Sequence, residues 1–513
     1  MSEEHETDHW EASGRASGQS PRADGDAGGD RTAVRRDRFS GGPARSFLSS
    51  LADDERIFAA DLAVDRAHVV MLVEQDIVEP DTAGEILTAL DDIEDAGHGA
   101  LPDGEDVHEA IESAVIDRVG QSGGKMHTAR SRNDEVAACI RYRLRADVLE
   151  LVETLVGARE RLLAVAREQT ETVMPGYTHL QPAQPTTVAH WLLSYEQALQ
   201  RDTDRLLDAY ARINRNPLGA AAFAGTPFDV DRERTAELLG FDSVAENSMD
   251  ASAARDFLVE TISAVAGLAT TLSQLAEDVV VMASKGHVEL DDDYASTSSI
   301  MPQKKNPDTL ELVRGRTSDA TAGLSGLLTN LTGQPRAYNR DLQRAGRHAW
   351  DAIDSVTESV AVAAGAVATA DWPAERLEAA ATGGFATATG VADLLAMAGV
   401  PFRTAHEVVA EVAADLDASQ DAPDYAALSA VAEDVLDDPL SAYVDREAVE
   451  AALDPTESVA MRDSRGGPAP EAVADQLAAT ADALASHSER HEAARTGVSD
   501  AATRLRTEVE VYV

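Results

Sequence analysis

Apolar residues recur along this chain at alternating intervals of four and three. Leu144, Val148, Leu151, Leu155, Ala158, Leu162 and Val165 form one such series; Leu258, Ile262, Val265, Ala269, Leu272, Ala276 and Val279 form another. A seam of this period, sustained over several turns, predicts a long helix packed against other helices. The stretches 187–213, 310–331 and 347–370 carry related patterns, so about five long helices are expected. Alanine at many seam positions allows close approach, which predicts a tight bundle.

Shorter patterns flank this core. Residues 61–75 and 81–93, separated at Pro80, alternate apolar and charged positions at helical spacing. Beyond Trp372–Pro373 shorter helices are expected, with loops over 417–425 and 462–470. Residues 1–36 are rich in Ser, Gly, Asp and Glu and show no apolar period, which predicts a disordered acidic extension. The expected architecture is all-α. It divides into that extension (1–36), an N-terminal helical domain (37–128), a central helix bundle carrying polar loops (129–372) and a C-terminal helical domain (373–513), in keeping with a length of 513 residues.

Composition narrows the function. With 91 acidic residues against 44 Lys and Arg, the formal net charge is −47, which argues against nucleic acid as a partner because phosphate binding needs basic patches. An acidic surface with almost no lysine fits a high-salt interior that screens self-repulsion. The single Cys139 excludes an intrachain disulfide framework and fits a reducing cytoplasm. No apolar run approaches the roughly 20 uninterrupted residues of a membrane span, and no secretory leader is evident, so a cytoplasmic protein that does not engage membranes is expected. Phosphate-binding glycine loops, dinucleotide fingerprints and Cys/His metal spacings are missing from the sequence, so no cofactor and no metal are expected.

The few cations are clustered. Lysine occurs only at 125, 285, 304 and 305, and two of these lie in Ser298-Ser299-Ile300-Met301-Pro302-Gln303-Lys304-Lys305-Asn306-Pro307. Its two prolines predict a shaped loop with little regular backbone pairing. An ammonium and an amide can hold negative charge as it develops, while a neighbouring serine moves a proton, which suits a carboxylate-bearing substrate. Pairing of these cations with nearby acids for structure alone is the competing reading.

Three further segments gather chemistry. Gly123 to Asp134 packs Lys125, His127, Arg130 and Arg132 ahead of a long helix whose start is expected to be capped by Asn133 or Asp134. Pro175 to Pro185 holds Thr178 and His179 on a proline-stiffened loop, where an imidazole is better placed for proton transfer than His190 inside the next helix. Pro335 to Arg347 adds Tyr338, Gln343 and four arginines. His108, in Glu105-Asp106-Val107-His108, taken alone reads more readily as a structural histidine.

Ser-Ser-x-x-Met-Pro-x-Lys-x-Asn resembles the signature of the fumarase/aspartase superfamily. Pro-Gln-Lys-Lys-Asn-Pro-Asp, His-Thr-Ala-Arg-Ser-Arg-Asn-Asp and Gly-Tyr-Thr-His-Leu-Gln resemble the forms found in its argininosuccinate lyases. The similarity runs from about residue 38 to the end, with the motifs in order. Two positions depart: Thr297 stands where the family usually has Gly, and Gly346 where a lysine commonly follows the substrate-binding Gln.

The resemblance implies a three-domain helical fold, a homotetramer whose active sites draw on three subunits, and argininosuccinate as a small-molecule substrate, cleaved reversibly to arginine and fumarate. It implies Ser298 as base, Lys304 as charge stabiliser, and His179 partnered by Glu311. It further implies substrate contacts from Ser50, His108, Ser131, Arg132, Asn133, Thr178, Asn306, Tyr338 and Gln343. The alternatives are another lyase of the superfamily, such as one acting on adenylosuccinate, or a non-catalytic relative like the lens crystallins.

Overall fold

The computed structural model describes residues 43–414 and 423–513; the expected 1–36 extension and most of the expected 417–425 loop lie outside them. Five long helices form the centre: Arg132–Glu168, Val188–Ile213, Asp256–Lys285, Asp308–Leu331 and Ala345–Ala368. Both heptad seams face inward. Leu144, Val148, Leu151, Leu155 and Leu162 are buried with Leu258, Ile262, Val265, Leu272 and Val279 in one core, and Val165 packs half-buried at its edge. Each fully buried leucine contributes about 1.5–3 kcal/mol relative to exposure.

Small residues set the spacing within the bundle. A Cβ on Gly323 would lie 2.5 Å from the carbonyl oxygen of His348, so the fourth and fifth bundle helices touch backbone to backbone there. Asp256–Lys285 is, among the described residues, the helix long and apolar enough to cross a membrane by composition. Here its apolar seam fills the centre of the bundle.

A second core joins the helices Phe58–Glu74, Pro80–Ala96 and Val107–Val119 to residues near Leu239, and a third encloses residues 385–452. The end of the chain differs from the expectation of short helices. Pro470–Glu510 is a single helix of 41 residues packed against the first two bundle helices. Its Val473 and Leu484 join the bundle core, whereas Leu505 and Val509 join the N-terminal core.

The anchor of this helix is polar. Fully buried Arg159 donates to Glu196 Oε1 at 2.6 Å and meets His487 Nδ1 at 2.7 Å, and His487 Nε2 lies 2.8 Å from Asp204. Buried charge is tolerated when paired in this way. This ionic contact adds to the apolar packing of Val473, Leu484, Leu505 and Val509, and apolar periodicity does not reveal it.

Strands are few. The stretch expected as a stiff loop around His179 is a hairpin, Val173–Thr178 antiparallel to Gln181–Thr187. Two residue pairs, Ser296 with Asn306 and Thr297 with Lys305, close the base of the serine loop. Neither ribbon alters the all-α class.

Candidate active site

One cavity of about 890 Å³ opens between the N-terminal region and the bundle. Ser50, His108, Tyr338 and Gln343 line it together, although they were singled out from separate parts of the chain. The Ser50 hydroxyl donates to Asp54 Oδ2 at 2.7 Å, and Gln343 Nε2 donates to the Leu48 carbonyl at 3.0 Å. The N-terminal segment and the 338–347 stretch are thereby tied edge to edge. Arg132 reaches the rim, with Nη1 3.5 Å from Asp106 Oδ2.

The departure at Gly346 falls beside Trp350. Gly346 is buried, and a Cβ there would sit 3.2 Å from the Trp350 indole nitrogen. Arg344 and Arg347 line the cavity together with Arg56, Arg143 and Arg340, so it holds cations without a lysine at 346.

Ser131 and Asn133 are also used structurally. The long helix is capped by Ser131 rather than by Asn133 or Asp134: its hydroxyl accepts from Asn133 N at 3.3 Å, while Asp134 Oδ1 accepts from Ser131 N at 3.0 Å. This reciprocal pair satisfies two free helix-start donors. Asn133 Nδ2 donates to the Ala222 carbonyl. Arg130 is wholly buried between Asp65, at 2.5 Å, and Glu135, at 3.0 Å.

Beneath the cavity lies a buried ionic cluster that motif reading missed. His108 Nδ1 is 2.8 Å from Asp61 Oδ2, and Cys139 Sγ donates to Asp61 Oδ1 at 3.3 Å. Burial alone would depress the His108 imidazole, but Asp61 outweighs it and pushes the group up to about 10. Burial carries Asp65 up to about 7 despite Arg130. Asp61, Asp65 and Glu135 converge closely enough to hold a cation; Arg130 and His108 already supply the positive partners. The overlooked signal was acidic residues at core-facing helical positions, Asp61 and Asp65 four apart on one face.

The remaining expected residues stand elsewhere. His179 and Leu180 form the two-residue turn of the hairpin, with φ of 56° and 60°, and both are exposed. That turn normally selects Asn-Gly; bulkier residues there hold strain of order 1–3 kcal/mol each, a feature that clusters at functional sites. Thr178 is exposed beside them.

In the serine loop the Ser298 hydroxyl accepts from Met301 N at 3.1 Å, and Lys304 Nζ donates to Asn306 Oδ1 at 2.6 Å. Lys305 instead pairs with Asp292 at 2.7 Å, so the two lysines divide between the loop and its support. Thr297 sits in extended backbone and needs no glycine-only angles. Glu311 is exposed in the first turn of the fourth bundle helix.

The two groups of residues lie far apart within one chain. Glu311 and Tyr338 are separated by most of a 24-residue helix, which at 1.5 Å per residue spans about 36 Å. The hairpin is pinned at the Glu311 end, where Tyr177 Oη meets His287 Nε2 at 2.7 Å.

Comparison with known proteins matches this construction. A lyase family model covers residues 49–321 and an argininosuccinate lyase C-terminal model covers residues 385–460. The chain is 82% identical over 484 residues to an argininosuccinate lyase of Haloarcula marismortui, covering 94% of this chain and 97% of that protein. It is 69% identical to one of Natronomonas pharaonis, over 95% and 98% of the two chains. A crystal structure of EDDS lyase with formate superposes with a TM-score of 0.82 at 31% identity, covering 92% of this chain and 96% of that one. On these matches the chain belongs to the argininosuccinate lyases.

Proposed function

We propose that the protein cleaves argininosuccinate reversibly to L-arginine and fumarate by acid–base β-elimination. A base removes a proton beside a substrate carboxylate, the carbon–nitrogen bond breaks, and the departing guanidinium nitrogen receives a proton. Ser298 is the base. Its hydroxyl accepts two backbone N–H groups, from Ile300 and Met301, and donors of this kind lower the cost of an alkoxide. Lys304 and Asn306 stabilise the doubly negative carboxylate formed on proton loss. His179, partnered by Glu311, serves proton delivery to the leaving group. Ser50, His108, Ser131, Arg132, Asn133, Thr178, Tyr338 and Gln343 hold the substrate, Ser131 from the helix start that it caps.

The observation that carries this reading is the cavity in which Ser50, His108, Tyr338 and Gln343 converge, in a chain 82% identical to an argininosuccinate lyase. The bundle-length separation between that cavity and Ser298 implies that neighbouring chains complete each site, as in the homotetramer of the family. Arginine as product fits a role in arginine biosynthesis, and the single, buried Cys139 fits a reducing cytoplasm. Purified protein in molar potassium chloride should release fumarate from argininosuccinate, followed by absorbance near the ultraviolet band of fumarate. Failure to release it would end the reading.

A further inference from the structure

His108 is fixed from behind. It stands on the helix Val107–Val119, whose start is capped by Asp106 accepting from Glu109 N at 2.8 Å. His108 lines the cavity with Ser50 and Tyr338. Its Nδ1 lies at ion-pair distance from Asp61 Oδ2, 2.8 Å, and both side chains are almost wholly buried. Asp61 in turn accepts from Cys139 Sγ on the first bundle helix.

We propose that Asp61 is a positioning residue for the reaction, gripping His108 Nδ1 so that the Nε2–H of the ring is presented to the cavity as a fixed cationic donor for a substrate carboxylate. The proposal deepens the reading above and rests on its placement of substrate in this cavity.

Three geometric facts support it. An imidazole held at Nδ1 by a carboxylate has its tautomer and ring angle set, leaving Nε2 as the free donor. The pair is isolated from water, so the Asp61 charge acts on His108 with little screening. Finally, among the described residues His108 is the cation in ion-pair contact with Asp61, while Arg130 pairs with Asp65 and Glu135 and acts on Asp61 from farther off.

Other charged groups facing His108 reinforce its positive state. Glu135 Oε1 lies 3.7 Å from Nδ1, Asp106 adds a favourable field from its own helix, and Asp54 feels the His108 charge from the segment before the first helix. Arg130 opposes it from the stretch ahead of the bundle, whereas His127, pushed down to about 3 chiefly by burial, is uncharged in the neutral range. The carboxylates prevail, and His108 stays protonated through the neutral range.

The experiment compares wild type with Asp61→Asn, His108→Asn and the double variant, after fumarate release by wild type has been established. Asp61→Asn should lower kcat/KM at pH 8 by about tenfold or more, the scale seen when a partner orienting a functional histidine is removed. Most of that loss should lie in KM, and activity should recover as the pH falls towards 6 and the imidazole regains its proton. The double variant should be no worse than His108→Asn.

An unchanged pH profile in Asp61→Asn, or additive losses in the double variant, overturns the proposal. Should Asp61→Asn fail to fold, the nitrogen chemical shifts of wild-type His108, assigned with His108→Asn, decide: an imidazolium at pH 8 is expected, and a neutral ring overturns the proposal. Lack of fumarate release by wild type would instead refute the proposed reaction, while the ring's protonation still tests the Asp61 grip.

Discussion

Arg132 opens the first bundle helix and His179 lies beyond its far end. The helix has 37 residues and so runs about 55 Å. The six-residue strand that carries His179 outward reaches at most about 20 Å, so it cannot return the imidazole to the guanidinium. Two groups expected to act on one substrate are therefore held apart by the helix that joins them. The same bundle rigidity that separates them in one chain would place them accurately between chains.

Proton transfer is assigned to side chains with small structural roles. His179 is exposed at a turn, and Ser298 sits in a loop tip whose neighbours Ile300 and Met301 are also exposed. Ser298→Ala or His179→Asn should each lower turnover by at least about a hundredfold, the usual scale for acid–base residues. Circular dichroism and thermal midpoint should stay close to wild type. Near-normal turnover in either variant would remove that residue from the mechanism.

The hairpin turn offers a test of stored strain. Leu180 adopts φ of 60° and is 65% exposed, so its side chain gains little from packing while its backbone pays the left-handed penalty. Leu180→Gly should stabilise the hairpin locally by about 1 kcal/mol. Amide exchange at the Met174–Thr186 pair would report slower opening. Unchanged or faster exchange would mean that the turn is not strained.

The buried cluster carries a pH signature of definite sign. Burial raises Asp65 from 3.8 to about 7, so the folded chain keeps a proton there that the unfolded chain has already lost. Its contribution favours folding least at the alkaline end: stability falls as pH rises from about 4 to about 7, then levels off. Asp65→Asn, which can still accept from Arg130, should abolish this slope. The thermal midpoint of the variant minus that of wild type should therefore become more favourable between pH 4 and pH 7; a constant difference would place the titration elsewhere.

Much of the bundle was legible because burial imposes a period: Leu144 to Leu162 and Leu258 to Val279 repeat at the spacing that their core requires. The last helix was not, since its apolar stripe of Val473, Leu484, Leu505 and Val509 is widely spaced and interrupted by polar groups, His487 among them, that pair with buried Arg159. At the site, residues in unusual loop chemistry such as Ser298, Lys304 and His179 stood out by type and context. Asp61 did not, because a carboxylate on an amphipathic helix reads as solvated until its face is known. Ser131 stood out for substrate contact, yet its hydroxyl is engaged in capping, a role that sequence spacing had assigned to its neighbours.

Shared sites make the sharpest prediction. If the Arg132, His179 and Ser298 segments meet from different chains, a chain inactive through one segment can complement a chain inactive through another. His179→Asn and Arg132→Ala chains should each be inactive alone. In tetramers mixed at random, a site that takes its Arg132 segment from the first variant and its hairpin from the second is wholly wild type, which is expected for roughly a quarter of sites. Mixing is practical because 91 acidic residues face 44 basic ones, so low ionic strength should loosen assembly through unscreened repulsion and molar salt should restore it. The two variants are dissociated at low salt, combined, reassembled at high salt and assayed for fumarate release, with mixed composition verified by native mass spectrometry. Recovery of about a quarter of wild-type activity is expected. Mixed tetramers with none would show that both segments serve a site from the same chain, against the separation that the 37-residue helix imposes.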